Sequence, residues 1–242
     1  MKLIKLDAID STNDFLKALA VTQELENFTV VTAENQTKGK GQMGAIWNSE
    51  KSKNLIMSIF VKDLLVSADG IYNLNIATAL AVVQVLKTFE IPDLRIKWPN
   101  DIMSANFKIA GILIENSFKS DGTISSIIGI GLNVNQTNFD NLPKASSMAA
   151  VANRIFDKDE LVVLIVERLK ANLLLLDSNV QDLWKEYLNV LFKIGVPMPF
   201  KTETEKAFMG IIQGVSLMGK LIILLEDDNV VEYGVKEIQM LY

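Results

Sequence analysis

The chain has 242 residues, 49% hydrophobic and 22% charged, enough for one large domain and a small one with an ordinary globular balance. Its formal net charge of −5 leaves no global basic field for nucleic acid. Cysteine and histidine are both absent, which excludes disulfides, thiol nucleophiles, Ser-His-Asp triads and zinc held by thiolate or imidazole. Any catalysis must run on Lys, Arg, Asp, Glu, backbone amides and a hard cation.

Residues 1–7 are too short and too charged for the apolar part of a signal segment. Ser11-Thr12-Asn13-Asp14 ahead of Phe15-Leu16 reads as a helix N-cap. A strand is expected over 28–33, then a glycine-rich loop over 36–47, then a strand over 55–61. Leu74, Ala77, Leu80, Ala81 and Val85 recur at helical spacing, so about 70–90 is a helix. Strands follow at about 93–98, 102–106, 109–116 and 123–134, with a turn at Asp121-Gly122 between the last two. Asp157 with Glu160 forms a capping box opening a helix to about 176, and another helix runs over about 180–193. The apolar run 161–176 contains Glu167, Arg168 and Lys170 and is too short to span a bilayer, so a cytoplasmic location with no membrane partner is expected. Pro197 and Pro199 mark a break after Gly195. Short strands at about 207–216, 219–226 and 229–234 then read as a small barrel. The expected domains are 1–194 and 195–242.

Two stretches carry chemistry. Lys97-Trp98-Pro99-Asn100-Asp101 ends one buried strand, and Lys108 opens the next. Pro99 cannot donate to a sheet ladder, so it closes the strand and leaves Asn100-Asp101 at its mouth. Two lysines and an aspartate converging there suit an anionic ligand; a strand end with a surface ion pair is the plain alternative. In the second stretch, Gln36-Thr37-Lys38-Gly39-Lys40-Gly41-Gln42-Met43-Gly44-Ala45-Ile46-Trp47, glycines let backbone N–H groups close around an anion and lysines add counter-charge. A mobile surface loop is its plain alternative. The GxGxxG pattern at Gly39–Gly44 requires a helix to open at its last glycine, yet polar, aperiodic residues follow. The Walker-like 214–220 has Leu221 in place of the hydroxyl residue and reads as a hairpin turn.

Four blocks in order resemble the biotin protein ligases: Ser11-Thr12-Asn13, the Gly39-to-Trp47 loop, Lys97 to Asp101 with Lys108 and Gly111, and Gly129-Ile130-Gly131-Leu132-Asn133. The resemblance covers almost the whole chain. It implies an α+β fold, with a mixed-sheet catalytic domain of the class II synthetase and biotin-lipoate ligase type plus a small SH3-like β-barrel. The motifs begin within the first fifteen residues, so the N-terminal winged-helix domain of repressor-type members, and with it specific DNA binding, is expected to be missing.

The implied activity uses ATP and Mg²⁺ to convert biotin to biotinyl-5′-AMP, then passes the acyl group to a lysine of a biotin carboxyl carrier protein domain. The resemblance assigns Lys108, Asp101 and Lys40 to catalysis. It assigns Ser11, Thr12, Asn13, Gln36, Gly39, Lys40, Lys108, Gly111, Gly129 and Gly131 to biotin, and Lys40, Gln42, Trp47, Asn100, Lys108 and Asn133 to ATP. It assigns no metal ligands. Lys40 and Gln42 stand where many members carry arginine; lysine lacks the bidentate fork, and glutamine lacks the charge. For Gly129 and Gly131, tight strand packing is the alternative to ligand approach. Relatives dimerise by sheet alignment, so a homodimer is among the expected partners. Lipoate ligation is the neighbouring activity, whereas octanoyl transfer through a cysteine acyl-enzyme is excluded. A non-catalytic binding module using the lysine-glycine loop and the small barrel is the alternative of another class.

Overall fold

The computed structural model describes residues 1–64, 70–118, 123–140, 142–204 and 206–242. Seven strands build the main sheet: β1 (Leu3–Leu6), β2 (Thr29–Ala33), β3 (Leu55–Leu64), β4 (Leu94–Lys97), β5 (Asp101–Ser104), β6 (Phe107–Phe118) and β7 (Ile124–Leu132). Their order is β1-β2-β3-β7-β6-β5-β4. The β1–β2 pair is parallel and every other pair antiparallel, which makes the sheet mixed and the fold α+β, as expected. The Asp121-Gly122 turn lies outside the described residues.

Strand alternation sorts the two faces. On β3, Leu55, Met57, Ile59 and Val61 join the large core, as do Ile128, Ile130 and Leu132 on β7. That face is covered by α2 (Ile71–Thr88) and α4 (Lys158–Ser178), with α5 (Val180–Asn189) packed on both helices. Helix α2 is apolar nearly all round because sheet and helices enclose it. Asn172 of α4, buried against it, donates to Ala77 O at 3.0 Å and Gln84 Oε1 at 3.1 Å. The opposite face carries α1 (Thr12–Thr22) on a small cluster of Leu16, Leu25, Val31, Phe60 and Ile127. The alternate residues Ser58, Gly129, Gly131, Gly111 and Glu115 share that face and leave room beside α1. A short helix, α3 (Met148–Ala152), follows β7.

The remaining strands are β8 (Pro197–Thr202), β9 (Ala207–Val215), β10 (Leu221–Leu225), β11 (Val230–Tyr233) and β12 (Ile238–Met240), in the order β11-β10-β9-β8-β12. The expected small closed barrel is corrected here: this sheet is open. Strand β12 has three residues, all paired with β8, and leaves nothing to close onto β11. Sequence reading missed β8 because of its prolines. Pro199 O accepts from Leu241 N at 3.0 Å, so the proline nitrogen faces the side where β12 pairing has already ended at Phe200. The β9–β10 turn is the expected hairpin, with Gly219 N donating to Ser216 O at 2.8 Å and Gly219 at φ 80°.

One apolar cluster runs through both sheets, taking Ile96 and Trp98 from the first and Phe200, Ile212 and Leu221 from the second. The Trp98 indole N–H donates to Gly219 O at 2.9 Å and ties the strand mouth to the β9–β10 hairpin. Among the described residues no helix is long and apolar enough to cross a membrane.

Candidate active site

A cavity of about 660 Å³ opens on the α1 face between the glycine loop, the β6–β7 floor and the second sheet. One end is polar. Ser11 caps α1, accepting from Asp14 N at 3.3 Å. The Thr12 backbone N–H and hydroxyl both donate to Gln36 Oε1, at 2.7 and 3.0 Å. The Ser58 hydroxyl donates to Asn13 Oδ1 at 2.6 Å and lies 2.8 Å from Thr12 Oγ1. Asn13 Nδ2 donates to Glu115 Oε2 at 2.9 Å, and Lys17 pairs with the other oxygen of Glu115 at 2.5 Å. Asn13 therefore has its amide oriented from both sides. Ser11, Thr12 and Asn13 are buried, so their unused lone pairs and protons are available only to a ligand in the cavity.

The other end is charged. Lys108 Nζ lies 2.5 Å from Asp101 Oδ1, and Lys97 Nζ lies 3.6 Å from Oδ2. The pairing follows from register, because Lys97 faces Asp101 across β4–β5 and Asp101 faces Gly111 across β5–β6. A bulge between Ile102 and Met103 then brings Lys108 back toward Asp101. Burial holds the Lys97 ammonium below the usual lysine range, with Asp101 opposing the shift. The Tyr242 ring stacks near Lys144 (4.1 Å) and Lys97 (5.3 Å), and burial followed by the Asp101 charge pushes its phenol up. The Lys97, Lys108 and Lys144 ammoniums gathered around Asp101 make this end a receptor for anions.

The glycine loop folds between the two ends as a small hairpin. Gly41 N donates to Ala45 O (2.8 Å) and Trp47 N to Gly39 O (2.9 Å). A single 3₁₀ turn at Gln42–Gly44 follows, with no longer helix, which rules out the dinucleotide reading. Lys40 is raised by its hydrogen bond to Asp14, at 2.6 Å, and Lys38 pairs with Asp10 at 2.7 Å. The Trp47 indole lies on the floor: a Cβ on Gly131 would meet it at 2.5 Å, and one on Gly111 at 3.2 Å. A Cβ on Gly129 would meet Asn13 Oδ1 at 2.5 Å. These glycines admit the protein's own side chains. Gln42 Oε1 and Trp47 Nε1 are buried without a hydrogen-bond partner.

Most residues singled out in the sequence line this cavity: Ser11, Thr12, Asn13, Gln36, Lys40, Gln42, Trp47, Asn100, Asp101, Lys108, Gly111, Gly129 and Gly131. Gly39 and Asn133 do not. Gly39 backs the loop, where a Cβ would meet Trp47 O at 2.3 Å. The Asn133 amide donates to Ser146 O at 2.9 Å, fixing the segment after β7. Asn100 lines the cavity, yet its amide is committed to Ile112 O at 2.6 Å. Sequence reading missed Ser58, Lys144, Glu203, Lys236 and Tyr242, which also contribute to the site. Ser58, a lone hydroxyl in an apolar strand, was the one with a visible signal.

The profile of the Biotin/lipoate A/B protein ligase family matches residues 6–135. The chain belongs to this family. It is 37% identical over 139 residues to the bifunctional ligase/repressor BirA of Bacillus spizizenii, covering 57% of this chain but 42% of that protein, well under two thirds of it. Against the Salmonella typhimurium BirA it is 29% identical over 234 residues, 94% of this chain and 70% of the relative. The biotin protein ligase from Aquifex aeolicus in complex with biotin and ATP superposes with a TM-score of 0.79 at 25% identity, covering 99% of this chain and 98% of that one.

Proposed function

We propose that this chain is an ATP-dependent biotin–protein ligase acting on a biotin carboxyl carrier protein domain. The observation that carries this reading is the placement, around one glycine-floored cavity, of the Thr12–Asn13–Gln36–Ser58 network and the Lys97–Asp101–Lys108 cluster.

The ureido ring of biotin, with two N–H donors and one carbonyl acceptor, meets the polar network. A ring lacking those groups would strand buried partners. The biotin carboxylate then lies toward Lys108. One of its oxygens attacks the α-phosphorus of ATP, the bond from phosphorus to the bridging oxygen of the β-phosphate breaks, and pyrophosphate leaves. Both reactants are anions, so Lys108 and Lys97 lower the barrier by fixed positive charge. Lys108 is held by Asp101 until the anions compete for it, and Lys97 stays beside the carboxylate.

In the second step the carrier's lysine amine attacks the acyl carbon, the carbon–oxygen bond to AMP breaks, and an amide forms. Asp101 faces that amine. Trp47 and its loop exclude water from the mixed anhydride.

Among the described residues no group of three His, Cys, Asp or Glu could hold a metal by itself. Magnesium fits as an ion carried by nucleotide phosphates and water, with Asp101 and Glu203 the carboxylates lining the cavity. When bound it neutralises phosphate charge. Residues 195–242 are taken as the counterpart of the family's SH3-like unit, and a homodimer remains part of this reading. The test is incubation with biotin, ATP and a purified carrier domain, followed by peptide mapping. Biotin on the single carrier lysine is expected; an unmodified carrier with folded enzyme would refute the activity.

A further inference from the structure

The turn before β12 reaches the glycine loop through a hydrogen bond. Lys236 Nζ donates to Met43 O at 2.7 Å, joining residues 193 apart in sequence. Both ends sit in the left-handed backbone region, Met43 at φ 52° and Lys236 at φ 73°. Side chains rarely adopt that conformation, and it persists where surrounding structure imposes it. The turn presenting Lys236 is itself tied, because Gly234 N donates to Glu237 Oε2 at 2.6 Å and Glu237 N to Gly234 O at 3.2 Å.

The loop has little else to hold its tip. Met43 and Ile46 are 63% and 75% exposed, so the tip gains little from apolar burial. The buried acceptor of Gln42 and donor of Trp47 lack partners and oppose the closed arrangement. The loop's own cations, Lys38 and Lys40, are paired to Asp10 and Asp14 on the α1 side. Lys236 lines the cavity, and among the described residues its ammonium engages a carbonyl rather than a carboxylate, which leaves its full charge for an anion.

We propose that Lys236 is a positioning residue, a latch by which the second sheet holds the glycine loop over the cavity and retains the acyl-adenylate between the two half-reactions. The retention role rests on the ligase reading above; the latch itself rests on the contact.

Two variants of the full chain test it. Lys236→Gly suits the left-handed backbone and removes the ammonium, and Lys236→Arg keeps the charge. In Lys236→Gly, amide exchange at Gly41, Ala45 and Trp47 is expected to rise. Escape of adenylate, read as label on bystander lysines, is expected to quicken about tenfold, the loss of ~1.4 kcal/mol of retention. The thermal midpoint should not fall, and Lys236→Arg should restore both protection and retention. Wild-type protection of the loop amides in Lys236→Gly would overturn the latch. So would equal loss in Lys236→Arg, or unchanged adenylate escape. Failure of the wild type to form any adenylate would refute the ligase reading instead, and the amide exchange would still decide whether Lys236 holds the loop.

Discussion

Lys108 is the residue on which the proposed chemistry turns, because its ammonium lies 2.5 Å from Asp101 at the edge of the glycine floor. Lys108→Ala removes a preorganised charge from a site where two anions must meet. Adenylate formation should fall by about 10²- to 10³-fold or more, measured as biotin-dependent pyrophosphate exchange; a loss below tenfold would move the role elsewhere. Asp101→Asn keeps the shape and removes the charge proposed to meet the acceptor amine. Exchange should largely survive while transfer from pre-formed adenylate collapses, and normal transfer would cancel the assignment. Lys97 gives a pH signature. Its folded pKa is lowered from 10.5 by burial, so the charged form costs stability at neutral pH, and that cost fades as pH rises from the folded value toward 10.5. Lys97→Met should therefore raise the unfolding midpoint at neutral pH, with the gain shrinking on the alkaline side. A gain independent of pH would show that charge is not its cause.

At the scale of elements, β7 and the glycine loop define the slot. Period-two alternation sends Ile128 and Ile130 into the core and turns Gly129 and Gly131 toward the cavity. Gly129→Ala places a methyl 2.5 Å from Asn13 Oδ1 and must push that amide off Ser58. The apparent affinity for biotin should drop about tenfold, or ~1.4 kcal/mol, with ATP affinity little changed; equal losses for both ligands would mean general damage to the sheet. The charged end was legible in the sequence because lysines and an aspartate between apolar runs have no cheap burial without partners. The roles of Gly129 and Gly131 were less so: sequence reading held ligand approach and strand packing side by side, whereas Asn13 and Trp47 fill those spaces. Ser58, Lys236 and Tyr242 were missed because only register and docking across more than forty residues bring them to the site. The prolines of β8 concealed a strand, since a missing donor looks the same in a break and beside the end of a short edge strand.

For the whole molecule, the two sheets share one apolar cluster and one cavity. The polar end comes from α1 and β3, the charged end from β4 to β6, and the second sheet supplies Lys236 and the approach to Tyr242 at its rim. Individual strands and helices were readable from their periodicity, and the α+β fold with its mixed sheet followed from the resemblance; the open second sheet was not legible, because closure depends on how many residues β12 can offer. The central claim is that this cavity activates biotin with ATP. The most direct measurement is ATP–pyrophosphate exchange by the purified full chain with biotin, lipoate, octanoate or no acid. Exchange that requires biotin and is absent with the other acids is predicted. Exchange supported by lipoate or octanoate, or none at all from folded protein, would contradict it.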